Sequence, residues 1–244
     1  MNWPIVEVTL RGALGRRRTL LVALLAAVPV AIGALIRVGG TSTDGAALTA
    51  GLLDALVVTT VLPLVALVFG TGVLGSELDD GTAVYLLVKP IARWRIVISK
   101  LAVAAGTTMA IVFPSTLLAG LVVGAGRGGE SIAFGVALAV LPGSLVYAAG
   151  FVALSVVTSR ALIAGLLYVF IWEGLLAGLF AGTALLSVRQ YTLALAGWVA
   201  GDDGRAITSS VEVQSAVVLA VVVLVVAVAI AIRRLGSWEV RTAE

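Results

Sequence analysis

The residues of this chain that could do chemistry are few, and they fall in two places. A charged stretch opens at Glu77 and closes at Lys100, with Asp79, Asp80, Lys89, Arg93 and Arg95 inside it, between two long apolar runs. A lone acid, Glu173, sits within another apolar run, in Phe170-Ile171-Trp172-Glu173-Gly174. The chain has no Cys and no His, which removes thiol nucleophiles, disulfides, imidazole bases and the usual zinc and haem ligands. Its only lysines, Lys89 and Lys100, follow Val88 and Ser99, so it contains no Gly-Lys-Ser/Thr phosphate-binding loop. An enzyme built from what remains would need a Ser–Lys or paired-acid site. Lys100, at the end of one apolar run, and Glu173, far along another, have no evident partner for such work. The chemistry on offer is contact and charge placement, and no metal site is expected.

Composition says where these residues are held. Of 244 residues, 61% are hydrophobic and 12% charged, with mean hydropathy +1.16. Soluble domains hold about 25% charged residues, so this chain carries more apolar surface than a soluble core could bury. The useful unit is then the spanning segment of roughly 20 residues. Charge-free runs extend over Thr19–Ile36, Ala55–Ser76, Leu101–Gly126, Ser131–Ser159 and Val213–Ile232, and Ala161–Val188 is interrupted only by Glu173. These runs are continuously apolar without the period-2 alternation of a membrane barrel, so they are read as six transmembrane helices of one all-α domain over residues 1–244.

The basic residues orient it. With a cytoplasmic N-terminus, the inner segments hold Arg11, Arg16, Arg17, Arg18, Lys89, Arg93, Arg95, Lys100, Arg160, Arg233, Arg234 and Arg241, and the outer ones only Arg37, Arg127, Arg189 and Arg205. Twelve against four places both termini in the cytoplasm and accounts for the net charge of +3 without nucleic acid. Arg16-Arg17-Arg18 and the following apolar run resemble a signal peptide, but the run reaches Ile36, beyond a typical h-region of 7 to 15 residues. Ahead of it, Trp3, Val6, Leu10, Ala13 and Leu14 share one side of a helical wheel, as in an interfacial helix, while Ile5 and Val8 break the stripe and leave an irregular leader open. Pro29, Pro63, Pro114 and Pro142 lie within spans, where they read as packing bends.

Within the charged stretch, Asp79, Asp80 and Thr82 supply cap and first-turn chemistry, Ala83 to Val88 offers about two helical turns, and Pro90 ends them. Val84, Leu87 and Val88 form an apolar strip in need of a partner, which lipid headgroups or a protein cleft could provide. The order Glu77, Gly81-Thr82, Leu86-Leu87, Pro90-Ile91, Arg93 and Lys100 resembles the segment between the second and third spans of type-2 ATP-binding-cassette exporter permeases. In that pattern an acid, Gly-Thr, a Leu pair and Pro-Ile-x-Arg precede a Lys that opens the next helix. Ala92 stands where Ser or Thr is frequent.

The resemblance implies a coupling helix at this elbow, seated in a cleft on a separate ATPase. On that reading Glu77, Gly81, Thr82, Leu86, Leu87, Pro90, Arg93 and Lys100 serve the contact. It further implies two ATPase subunits that carry ATP and magnesium, no cofactor on this chain, and a second permease chain, identical or paralogous. Transport would be outward across a prokaryotic cell membrane, to which the many Arg against two Lys also point.

Between the last two spans, Gly182 to Glu212 mixes Leu193, Leu195 and Trp198 with Arg189, Asp202, Asp203 and Arg205. The resemblance implies re-entrant helices there, and an interfacial amphipathic segment is the alternative. Glu173 lies 13 residues past Arg160, or about 20 Å of helix, which puts it nearer the outer leaflet than the midplane. It is read either as a substrate-path or gate residue or as a polar tie between helices. A stand-alone ion-coupled carrier would suit Glu173 but leave the elbow unexplained, and an intramembrane enzyme would leave both unexplained. The charge bias predicts that single cysteines at Ser42, Gly128 and Gly204 label with an impermeant reagent from outside and one at Gly81 does not; labelling of Gly81 in intact cells overturns the orientation.

Overall fold

The computed structural model describes Thr9 and residues 15–40, 44–74, 92–176 and 184–236. The expected interfacial leader and the expected coupling helix, with Glu77, Gly81, Thr82, Leu86, Leu87 and Pro90, lie outside those residues. What is described is helical, with no strand among the described residues. We label the helices α1 (Arg16–Gly39), α2 (Gly45–Gly72), α3 (Arg93–Gly124), α4 (Glu130–Val157), α5 (Ala161–Leu167, continued in π-helical turns over Tyr168–Leu176), α6 (Val188–Ala200) and α7 (Val213–Gly236).

Five of these, α1 to α4 and α7, are long and apolar enough to cross a membrane. The fifth apolar run differs from its expected form. It does not continue to Val188 as one span: its helix is described to Leu176, and by Ser187 the chain is already capping α6, through an Oγ that accepts from Gln190 N at 3.3 Å. The second span is longer than expected. It starts at Gly45, capped by Asp44, whose carboxylate accepts from Ala47 N at 3.0 Å, so Asp54 lies inside the helix.

The middle of α2, Leu53–Val61, is wound in π turns that leave backbone carbonyls in need of donors. Thr60 Oγ1 donates to Ala55 O at 3.0 Å, and Pro63, which has no N–H to give, stands just after the π turns end.

Helix α4 is the central post, packed against α2, α3, α6 and α7. Of its most apolar window 72% is buried, against 22% for α1 and 17% for α7, which lie at the periphery with Leu and Val side chains facing outward. Helix α1 buries one narrow stripe, Val22, Ala26, Pro29 and Gly33, at the i, i+4, i+7, i+11 spacing of a helix face. Ser115 of α3 donates to the Ala26 carbonyl beneath it. Close approach of helices at small residues joins the packing of buried Leu62, Leu67, Phe69 and Ile132 in holding the centre, since lipid supplies no hydrophobic drive between spans.

Helix α6 runs antiparallel to α4. Gly135 of α4 faces Ala196 and Ala200, Gly143 faces Thr192, and Ser131 donates to Asp203 at 2.5 Å, just past the end of α6. The N-terminus of α6 is therefore level with the middle of α4, not with its ends.

A close approach between α3 and α4 gives a test. A Cβ on Gly120 would stand 2.6 Å from Ala133 Cβ, where nothing can yield. Gly120→Val should lower stability by about 1–3 kcal/mol, read as a lower thermal midpoint in detergent. Gly106→Val, where an added Cβ meets nothing within 4 Å, should leave the midpoint unchanged.

Candidate functional site

Two stretches depart from α-helical winding by nine residues each, Leu53–Val61 in α2 and Tyr168–Leu176 after α5, and they touch one another. Each carries an acid, Asp54 and Glu173. Long π stretches are uncommon and tend to mark functional positions, because the wide turn re-aims side chains and frees carbonyls. Glu173 meets Ser187 and Val188, and Asp54 meets Arg189, three consecutive residues at the start of α6.

Glu173 is 1% exposed. Its Oε1 accepts from Tyr168 Oη at 2.9 Å, Val188 N at 2.9 Å and Tyr147 Oη at 3.1 Å, and its Oε2 accepts from Ser187 Oγ. Four donors from three helices and a helix cap surround one carboxyl, an acceptor-only arrangement that suits a carboxylate. One donor is an otherwise orphaned N–H at the N-terminus of α6, where the helix dipole also favours negative charge. The two tyrosines are fixed by Phe151, stacked on Tyr147 at 6.1 Å and edge-on to Tyr168 at 6.3 Å.

Tyr147 lies ten residues before Val157, about 15 Å of helix from that end of α4. Glu173 is thus near the middle of the bundle, deeper than the expected position toward the outer leaflet.

Arg189 meets Asp54 in a two-pronged pair, Nε to Oδ1 at 3.0 Å and Nη2 to Oδ2 at 2.7 Å, with side chains 21% and 31% exposed. Thr59 Oγ1 adds a long contact to Oδ1 at 3.4 Å. Ser187, Val188 and Arg189 are consecutive, so the first turn of α6 is held by α5 on one side and α2 on the other. Asp54, Arg189, Ser187, Tyr147 and Tyr168 were not singled out by sequence as members of this site. Asp54 read as the boundary of a span and Arg189 as an outer-loop cation, and no local signal joins residues 135 positions apart.

Of the residues assigned to the elbow, the structure describes two. Lys100 is fully buried in α3 and donates from Nζ to Val73 O at 2.6 Å, where α2 ends, the helix terminus that favours a cation. Arg93 opens α3 and is half-buried, and the Arg95 guanidinium lies 5.3 Å from the Trp94 ring centroid beside it. Lys100 and Glu173 belong to separate regions, so the structure does not join them into one site.

A family model described as ABC-2 family transporter protein matches residues 14–181. Comparison with curated proteins finds no match.

The donor shell predicts how Glu173 responds to substitution. Glu173→Gln keeps an oxygen for the three donors at Oε1, and Ser187 Oγ can turn to accept from the new amide, so folded yield should fall little. Glu173→Leu strands the Val188 N–H and should cost about 1–3 kcal/mol or more, seen as a lower yield of folded protein. Equal yields for both variants would mean that the shell does not hold α6.

Proposed function

Because the chain belongs to the ABC-2 transporter family, we propose that it is the membrane-spanning permease subunit of an ATP-driven exporter. The match over residues 14–181 carries this reading, and the elbow from Glu77 to Lys100 directs it toward a separate ATPase. The chain has no phosphate-binding loop, so ATP and magnesium belong to the partner, in two copies, and catalysis of hydrolysis is not this chain's task. A second permease chain, identical or paralogous, completes the path. The outward Leu20, Leu21, Leu24 and Leu35 of α1 leave an apolar face open to lipid or to that chain. The complex resides in a prokaryotic cell membrane with both termini of the chain inside.

The mechanism follows from how the elbow is anchored. Lys100 binds the carbonyl at the end of α2 from within α3, so the two helices that flank the elbow are tied at its neck. A displacement of the elbow by a closing ATPase is then passed to both helices together. The position of α6, starting at mid-depth and running antiparallel to α4, supports a re-entrant helix capping the path, and Glu173 serves as the residue that fixes its inner end.

Leu87→Asp tests the coupling. A charge in a buried apolar contact is costly, so the ATPase should fail to copurify or lose stimulation by substrate while the chain still inserts. Unchanged assembly and transport would remove the elbow from the mechanism.

A further inference from the structure

The two ends of α6 are secured by different forces. At the end near Ala200 the packing is close and rigid: a Cβ on Gly135 would stand 2.7 Å from Ala196 O and 3.0 Å from Ala200 Cβ. At the Val188 end, Ser187, Val188 and Arg189 are held to α2 and α5 by polar contacts. Behind this end lies an apolar groove of about 210 Å³ between α4, α6 and α7, bounded by Val188, Tyr191 and Leu195 on one side and Val217, Val221 and Leu224 on the other. On α4 it is lined by Ala139, Pro142, Gly143, Leu145 and Val146, so the space beside the Val188 end is apolar throughout.

We propose that Asp54 and Arg189 form the latch of a gate, and that α6 is its moving part. When the pair opens, the deep half of α6 swings toward α7 into the groove, pivoting where Gly135 meets Ala200, and carries Ser187 and Val188 away from Glu173. Asp54 and Arg189 are positioning residues in this device. The energetics suit it. On the transporter reading the exposed side of the pair faces the path, where its separated charges can be rehydrated, whereas a fully buried pair would resist opening. Glu173 keeps Tyr147 and Tyr168 when α6 leaves, since both tyrosines belong to helices that stay, so its carboxylate is never stripped of donors.

The inference rests on the transporter reading for its purpose but not for its test. Ala184, three residues before Ser187 and 1% exposed, is replaced by cysteine in this Cys-free chain, in membranes with the partner ATPase. Reaction with a membrane-permeant maleimide should be slow in this parent and about tenfold faster when D54N/R189Q removes the pair, with an intermediate rise for R189K, which keeps the charge and loses the fork. Labelling at the parental rate in both variants overturns the latch. So does loss of folded protein in both, which would make the pair a structural brace. Adding ATP should speed labelling of the parent; if ATP has no effect while the variants still label faster, the latch stands and the transporter reading falls.

Discussion

A carboxyl group buried at mid-depth in an apolar bundle must be given hydrogen-bond donors, and most of what is distinctive here follows from where Glu173 finds them. Lipid offers none, so they come from Tyr147 on α4, Tyr168 one π turn earlier, Ser187 and the first N–H of α6. Meeting all four fixes the rotation of α4, the winding after α5 and the depth at which α6 begins. The same demand explains why α6 opens on Ser187. The hydroxyl caps Gln190 N and donates to Glu173 at once, so one side chain satisfies both a helix end and a buried acid. Opposite, Asp54 meets the equivalent need of α2 through Arg189. Two acids and one helix start form a single polar cluster in surroundings otherwise made of Val, Leu, Ala and Gly.

That cluster marks the boundary of what the sequence can disclose. Hydropathy identifies α1, α3, α4 and α7, because a run such as Val213 to Ile232 admits no other placement. It begins α2 too late. Asp54 looks like the edge of a span when its charge is counted alone, and its neutralising partner Arg189 lies in a segment that reads as a loop. Glu173 was visible as an anomaly, since it is the one acid deep inside an apolar run, and its two candidate roles followed from that. Its donors were not visible, because Tyr147 and Ser187 are ordinary residues until helix packing brings them within 3 Å or so. The elbow is the reverse case. Its order of residues is legible through family resemblance, and of its members Arg93 and Lys100 have described positions.

Small residues do for the helices what side chains do in a soluble core. Gly120 against Ala133, Gly135 against Ala196 and Gly143 against Thr192 bring backbones close enough for dispersion to act without a hydrophobic drive. The consequence is mechanical as well as energetic. Bulky interdigitated side chains lock helices in register, whereas a floor of glycine and alanine lets one helix slide over another once the polar contacts that fix it are released. The face of α4 beneath α6 has this character at Gly135, Ala139 and Gly143, and the contacts to Glu173 and Asp54 lie at the end of α6 where the groove leaves room.

Helix α2 joins the two regions that carry function on this reading. It is continuous from Gly45 to Gly72, with Asp54 in its first half and the Val73 carbonyl, held by Lys100, at its end. On this reading a push at the elbow would reach the proposed latch along one element, without a relay through loops. Between the two points lie the π turns at Leu53–Val61, whose wider winding and Thr60 side-chain bond make them the place where the helix can tighten or lengthen by a fraction of a turn. Asp54 sits at the start of those π turns, with the packed segment Leu62–Gly72 beyond them leading to the carbonyl that Lys100 holds.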